Sequence, residues 1–336
     1  MNKMYQTQLL HMAKKILSSV FLNPTFDILM VLTLFFTLAS PYYLTAFNLR
    51  NIALQNAHTI VMMAGIAIIM QGGGLDLSVG YQMSLAAVLT GELLTNGFSV
   101  PAAAGAGLLS GVLCGVINGF IVAKWRLSPI IATLATQEFY RGVAYLISGG
   151  VTYYNIPQSL RGLTEGLFLG IPKSLWLALC CIAVTYLLFH YTVFGKCVLA
   201  LGYDEKLLRQ NNVDIRRLKV YSYALGSLFF ALAALLFLSR QGAASPSMGS
   251  GMEIRGIMAA YIAGNLVQKK RKRSVPIINF YMAILILAIV ENGMQLLGSN
   301  QYMQYCITSV IVLLSVICTS VLPELYAKRK SSRKQI

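Results

Sequence analysis

Residues 52–80 read IALQNAHTIVMMAGIAIIMQGGGLDLSVG, an uncharged stretch that ends at Gln71 and is followed by three glycines. A helix needs about 20 apolar residues to cross roughly 30 Å of hydrocarbon, so residues 52–71 are predicted to span a membrane. Three successive glycines do not maintain an ordinary helix. We therefore expect the backbone to bend or unwind at Gly72, Gly73 and Gly74.

The polar residues after these glycines admit two roles. Asp76 or Ser78 is well placed to cap the helix that follows. An acidic residue near the membrane is also suited to contact a solute, bind a cation or relay a proton. The glycines, Asp76 and Ser78 are therefore candidate residues of a translocation path or gate.

The composition of the whole chain indicates a polytopic helical membrane protein. Of its 336 residues 57% are hydrophobic and 11% are charged, and the mean hydropathy is +0.66. Only helices pair their own backbone groups within a single membrane segment. The predicted fold class is all-α with about ten transmembrane helices, at residues 25–45, 52–71, 78–95, 101–123, 128–148, 174–194, 219–239, 254–268, 275–295 and 303–322.

The basic residues orient these spans. A net charge of +16 would suit nucleic acid, but in a membrane protein the positions of the charges are more informative than their sum. With the N-terminus in the cytoplasm, all 27 Lys and Arg residues except six fall on the cytoplasmic side. The six are Arg50, Arg141, Arg161, Lys173, Arg240 and Arg255. The bias predicts that both termini are cytoplasmic, and it makes a nucleic-acid partner unnecessary.

The predicted domains follow from this topology. Residues 1–24 form a cytoplasmic interfacial amphipathic segment, residues 25–322 the transmembrane domain, and residues 323–336 a basic cytoplasmic tail. The basic run at residues 269–273 is expected to anchor the topology or to bind membrane lipid.

The longest charged interruption is residues 195–219, GKCVLALGYDEKLLRQNNVDIRRLK. Asp204 and Glu205 are predicted to begin a short helix and Arg209 to lie near its end, before Asn211 and Asn212. A helix of about two turns is marginal alone in water, so it is expected to pack on its own bundle or on a soluble partner. The candidate docking residues are Gly195, Gly202, Asp204, Glu205 and Arg209.

Covalent chemistry is not expected of this chain. Its six cysteines contain no C-x-x-C pair, its three histidines are isolated in sequence, and no nucleophile elbow, HExxH or Walker A motif occurs. We therefore predict no enzyme activity, no metal and no cofactor.

Several motifs, taken in order, resemble the membrane permease subunits of bacterial ABC importers for ribose and other simple sugars, a group that includes autoinducer-2 permeases. The resemblance covers roughly residues 50–320. It rests on GGGLDLSVG, Asn118-Gly119, PIIATL at 129–134, Arg141-Gly142, GYDE at 202–205, Asn292-Gly293 and Leu296-Leu297-Gly298.

The resemblance implies a multi-pass protein of the bacterial cytoplasmic (inner) membrane. It implies that residues 195–219 meet cytoplasmic ATPase subunits, which hydrolyse the ATP. It also implies two further partners, namely a second permease subunit, alike or different, and an extracytoplasmic solute-binding protein.

Other polar and small residues are secondary candidates. Glu138 and Arg141 lie three residues apart and are expected to pair, with a role in lining the path left open. Arg50, Arg161 and Lys173 are candidate contacts for an acidic binding protein outside. Small residues recur at four-residue intervals from 107 to 119, which suits either a dimer seam or tight packing within the subunit. Residues 240–251 are expected to form a flexible outer loop.

The sequence departs from the family pattern on the predicted cytoplasmic side. Five basic residues follow Gly264-Asn265 where relatives carry a glycine-rich turn, and Tyr203, Leu207, Leu208 and Asn212 replace smaller or more polar types. A diverged ATPase, a second permease subunit and a paralogue that does not transport all remain open. The rival class is an ion- or proton-coupled secondary transporter that uses Asp76, Glu138 and Glu291.

Overall fold

The computed structural model describes residues 24–154, 156–162, 164–264 and 276–316. The predicted interfacial segment up to residue 23, the basic run 269–273 and the tail 323–336 lie outside the described residues. The elements, in chain order, are α1 (Pro24–Ala39), α2 (Ala46–Gln71), α3 (Val79–Thr95), α4 (Val100–Lys124), α5 (Pro129–Ser148), α6 (Gln158–Arg161), β1 (Leu167–Phe168), β2 (Ile171–Pro172), α7 (Lys173–Tyr191), α8 (Val193–Tyr203), α9 (Glu205–Gln210), α10 (Ile215–Gln241), α11 (Met252–Ile262), α12 (Ile277–Leu296) and α13 (Gln301–Val316).

The fold is mostly helical, as predicted, and a helix overlaps the described part of each predicted span. Among the described residues, five helices are long and apolar enough to cross a membrane, namely α2, α4, α7, α10 and α12. The others are shorter or less apolar, and α11 has only 11 residues. Long apolar helices joined by short connections therefore form the frame of the molecule.

The core lies where α10 packs between α2 and α4. Ala231, Phe230 and Leu238 of α10 are fully buried. Gly111, Gly115 and Gly119 of α4 face α10, and Gly107 faces α3 at Thr90. The small residues of α4 thus serve tight packing within the subunit, because they let the helix backbones approach closely.

The outer helices present apolar side chains to the surroundings. Leu38 on α1, Leu113 on α4, Leu146 on α5 and Leu187 on α7 are all exposed. Such residues would be unfavourable in water but suit contact with hydrocarbon, where apolar surface carries no penalty. The exposed surface of this bundle is therefore that of a membrane protein.

Residues 240–251 are not the flexible outer loop predicted from the sequence, because residues 240 and 241 end α10 and the residues after them pack on other elements. Ala244 pairs with Tyr153 through two backbone hydrogen bonds of 2.9 and 2.8 Å, and the N–H of Gly249 donates to Ser84 Oγ at 2.9 Å. Ala244 and Gly249 are buried. The small residues allow close backbone contact with α3 here, so their presence reflects packing rather than flexibility.

A pair of glycines on α4 tests this packing. We expect Gly115→Leu to destabilise the protein by about 1–3 kcal/mol, the usual cost of overpacking a core. The reason is that a Cβ at Gly115 would lie 2.5 Å from the Tyr223 carbonyl oxygen. A Cβ at Gly105 would have no neighbouring atom within 4 Å. Thermal unfolding in detergent should show a lower Tm for Gly115→Leu only. An equal loss in the control variant Gly105→Leu would contradict the assigned packing.

Candidate functional site

The connection between α2 and α3 is a non-helical segment, residues 72–78, whose backbone groups are paired by neighbouring helices. Gly73 has a φ of 77°, a conformation that favours glycine. The Tyr223 hydroxyl donates to the carbonyl of Leu75 at 3.1 Å, and the N–H of Leu77 donates to Thr133 Oγ1 at 3.0 Å. The glycine run therefore breaks the helix as predicted, and α5 and α10 hold the break in place.

Asp76 is the centre of this segment and is buried. Its Oδ1 accepts hydrogen bonds from the N–H and the hydroxyl of Ser78, at 2.8 and 2.6 Å. Its Oδ2 accepts from Gln82 Nε2 and Asn118 Nδ2, both at 3.0 Å. Four donors surround the carboxylate, which compensates its burial.

Tyr140 of α5 contacts this cluster through Asn118. Tyr140 donates its hydroxyl to Asn118 Oδ1 at 2.9 Å or to the Cys114 carbonyl at 3.0 Å. Ser78 stands at the N-cap of α3 but makes no side-chain capping bond. Its hydroxyl instead donates to Asp76. Neither residue therefore caps α3 in the expected way. Instead, the Asp76 carboxylate accepts a hydrogen bond from the N–H of Ser78.

The segment 195–219 contains α8, α9 and the start of α10. Thr192 Oγ1 accepts from the N–H of Gly195 at 3.0 Å at the first turn of α8. A Cβ at Gly202 would overlap the carbonyl oxygen of Gln71. The charged segment therefore lies directly against the end of α2, next to the helix break.

The predicted short helix is α9, and its ends have the expected residues. Asp204 Oδ1 accepts from the N–H groups of Lys206 and Leu207 at 2.9 and 3.3 Å. Glu205 pairs with Arg209 at 2.6 Å and with Lys219 at 3.1 Å. The bond from Arg209 is the main cause of a lowered pKa of the Glu205 carboxyl, which partial burial opposes and Lys219 reinforces.

The two leucines of α9 have different environments. Leu208 is buried against the protein's own helices, whereas the Leu207 side chain is 52% exposed. A cavity of about 810 Å³ lies near α9, between the helix break, the 125–128 connection and the segment 195–219. Its lining includes Gly72, Arg126 and Arg216. The protein thus has a polar recess and an exposed apolar residue at the same end.

Glu138 and Arg141 form the expected pair on α5, with Nη1 of Arg141 3.4 Å from Oε2 of Glu138. Both side chains are largely exposed, at 63% and 48%. The guanidinium also lies 5.5 Å from the ring centroid of Tyr81, a cation–π distance. The pair points away from the buried Asp76 cluster, although α5 contributes to both.

The three basic residues expected on the outer side are only partly brought together. Arg161 pairs with Glu165 at 2.8 Å, and Lys173 Nζ donates to the carbonyl of Gly162 at 3.4 Å. Arg50 is exposed on the second turn of α2 and makes none of the ion pairs found among the described residues. Arg161 and Lys173 therefore share one surface segment.

Sequence reasoning missed several polar residues of the site. The sequence patterns do not single out Gln82, Tyr140 or Tyr223. Asn118 and Thr133 enter only through motifs that resemble the family. A polar side chain within an apolar span was the available signal, since such groups seek partners in a membrane. Within the described residues, no group of three His, Cys, Asp or Glu side chains is arranged to hold a metal ion.

Comparisons with known proteins find sugar-transport permeases among the relatives of this chain. The ribose import permease protein RbsC of Bacillus subtilis (strain 168) is 29% identical over 291 residues, which are 86% of this chain and 89% of the relative. The L-arabinose transport system permease protein AraH of Escherichia coli (strain K12) is 32% identical over 278 residues, 82% of this chain and 84% of the relative. No solved structure gives a significant match.

The family assignment covers most of the sequence. The model of the family described as branched-chain amino acid transport system / permease component matches residues 48–316. This range includes the helix break, the Asp76 cluster and the segment 195–219. The chain therefore belongs to this family of transport permease components.

Proposed function

We propose that this chain is the membrane permease subunit of an ATP-driven importer for a simple sugar or sugar-like solute in the bacterial cytoplasmic membrane. It would work with a second permease subunit, cytoplasmic ATPase subunits and an extracytoplasmic solute-binding protein. The observation that carries the proposal is the contact of Gly202 with Gln71, which joins the charged segment to the helix break. The permeases of ribose and arabinose import among the relatives support the solute class.

The proposed topology has ten spans and two cytoplasmic termini. The five long apolar helices supply half of the crossings, and the shorter or less apolar helices α1, α3, α5, α11 and α13 supply the rest. The distribution of basic residues favours this orientation, because Lys and Arg concentrate in cytoplasmic loops. In this arrangement α9 lies in the cytoplasm.

The proposed mechanism passes movement from the ATPases to the membrane interior. An ATPase that binds α9 would displace α8 with it, since Asp204 both ends α8 and caps α9. Gly202 of α8 has no side chain between itself and the Gln71 carbonyl, so a shift of α8 moves the end of α2. Access would then alternate between the two sides of the membrane.

The charge arrangement disfavours the rival, an ion-coupled secondary transporter. Both oxygens of Asp76 accept two hydrogen bonds each, which leaves little capacity for a coupling ion. Glu291 pairs with Arg255 at 2.8 Å, and Glu138 pairs with Arg141. Each predicted coupling carboxylate is thus already engaged. On the outer side, we propose Arg50, Arg161 and Lys173 as contacts for the binding protein.

The exposed leucine of α9 provides a test of ATPase docking. We expect Leu207→Asp to abolish co-purification of the ATPase and ATP-dependent ribose uptake, because an acidic group would replace apolar contact area. The Tm of the isolated permease should not change, because Leu207 is exposed. Pull-down from membranes in mild detergent measures the effect.

The matched control is Leu169→Asp, an exposed leucine of the outer β1–β2 turn with a φ of 51°. It should leave ATPase binding intact. Normal ATPase binding by Leu207→Asp would contradict docking through α9. In that case Asp204, Glu205 and Arg209 would serve only to stabilise α9.

We propose that the Asp76 cluster is a structural joint rather than an ion site. Asp76→Asn would turn an amide N–H₂ toward two of the four donors, so buried hydrogen bonds are lost. We expect destabilisation by roughly 2–4 kcal/mol on that basis. Thermal unfolding in detergent checks this, with exposed Asp27→Asn as control. A stable Asp76→Asn protein that had lost transport would instead favour a functional carboxylate.

We also propose that Glu138 and Arg141 face the path or a second permease subunit. An unpaired charge at the centre of a membrane helix costs roughly 2.5–3.5 kcal/mol on insertion scales. The single variants Glu138→Ala and Arg141→Ala should therefore lower the yield of assembled complex and uptake, while the exchange E138R/R141E should restore both in part. Full uptake by both single variants would refute this placement.

A further inference from the structure

The irregular segment that precedes α11 lies near the middle of the helix layer. α4 is 25 residues long, or about 37 Å. Near the start of α4, the Ala103 carbonyl accepts a hydrogen bond of 3.4 Å from the Thr90 hydroxyl of α3. Near the end of α4, the side-chain amide of Asn118 donates to Asp76. Ser84 lies between these two levels and accepts the N–H of Gly249. Gly249 is therefore close to mid-depth.

This segment descends along α3 from a higher level. Ala244 lies against Gly91 and Gly249 against Gly80 and Ser84. From Gly91 to Ser84 the axis of α3 covers about 10 Å. Residues 245–251 therefore enter the helix layer as non-helical backbone, and α11 starts inside it.

The polar groups of residues 245–251 are not all paired. The N–H groups of Met248, Gly249 and Ser250 find acceptors. The carbonyls of Pro246, Met248 and Ser250, by contrast, accept no hydrogen bond from the described residues. Non-helical backbone at membrane depth is tolerated only where protein buries it or water reaches it.

One edge of the segment is exposed. Ser247, Ser250 and Gly251 are exposed, and so is Ile254 in the first turn of α11. The hydroxyls of Ser245 and Ser247 lie 3.1 Å apart on this side. We name residues 245–251 the polar wall. Its exposed hydroxyls cannot face hydrocarbon without a large loss of hydration, so this edge faces water or protein in the assembled complex.

A carboxylate stands behind the polar wall. Glu253 is 9% exposed, its Oε1 accepts the N–H of Gly251 at 3.3 Å, and its Oε2 has no partner among the described residues. A Cβ at Gly80 would overlap both this Oε2 and the Gly249 carbonyl. Glu253 therefore acts as a positioning residue that holds the end of the wall against α3.

We propose that the polar wall lines the translocation path at mid-depth and binds the hydroxyl groups of an uncharged, polyhydroxylated solute. This inference rests on the proposed importer function. Hydroxyl groups both donate and accept hydrogen bonds, which matches a wall of carbonyls and serine hydroxyls. The neighbouring cation, Arg255, is engaged by Glu291 and by Asn56 at 2.8 and 3.0 Å, so among the described residues it is not free to bind a phosphate.

Cysteine accessibility tests the wall in the reconstituted complex with its ATPase and second permease subunit in proteoliposomes. Ser247→Cys and Ser250→Cys are made in a chain whose native cysteines are replaced by serine. A charged methanethiosulfonate reagent reacts with thiolates, which form in water and not in hydrocarbon. We expect both to react at least about tenfold faster than Leu113→Cys, a control on the apolar exposed face of α4.

Solute protection identifies the ligand class. D-ribose or L-arabinose should slow the reaction at Ser250→Cys, and D-ribose 5-phosphate should not. Reaction no faster than at Leu113→Cys would overturn the wall as a water-lined surface. Protection by the phosphate alone, or by no sugar, would overturn the assigned solute class.

Two further measurements separate this inference from the importer function. ATP-dependent ribose uptake that persists with an unreactive wall would leave the importer standing and reject the wall. Reactive and sugar-protected cysteines without such uptake would support the wall and reject the importer. Should the cysteine chain fail to assemble, Ser250→Phe in the native background should still reduce uptake at least about tenfold, by obstructing the path, and Leu113→Phe should not.

Discussion

The whole bundle depends on one constraint, that irregular backbone inside a membrane must have its polar groups paired. Three glycines end α2, and the connection to α3 must therefore find partners within the protein. Asp76 supplies one locally by accepting the N–H of Ser78, and Thr133 of α5 and Tyr223 of α10 supply two more. Four helices are thereby fixed to one another at a single level. Paired hydrogen-bonding groups in a buried network of this kind add rigidity.

Backbone contacts at glycines connect the segment 195–219, the helix break and the polar wall one after another. Gly202 meets the end of α2, and Gly80, just after the break, meets Gly249 of the polar wall. No side chain lies between the backbones at either contact, so neither contact can yield by a change of rotamer. The segment 195–219, the helix break and the polar wall are consequently neighbours in contact. This continuity gives the proposed coupling a physical route through packed backbone.

The sequence predicted the helices well and their partners poorly. The spans, the glycine break, α9 and the close-packing face of α4 follow from hydropathy, helix-end signals and small-residue spacing, all of which are local. Asn118 and Asp76 are 42 residues apart, and Tyr223 lies farther still. Local pattern does not show such pairings, because apolar residues that face lipid and those that face the bundle are alike. Residues 240–251 were mispredicted because Gly and Ser suit both mobile loops and tight backbone contacts.

One subunit alone leaves two polar features without suitable surroundings. The Glu138–Arg141 pair lies about 14 Å from either end of α5, and the polar wall carries free carbonyls near mid-depth. Neither is stable against hydrocarbon, so each needs protein or water beside it. A pair of opposite charges on one helix face is complementary to its own copy across a two-fold axis, because each charge then meets its opposite. The proposed second permease subunit would place protein or enclosed water beside both features, which a single subunit in lipid cannot do.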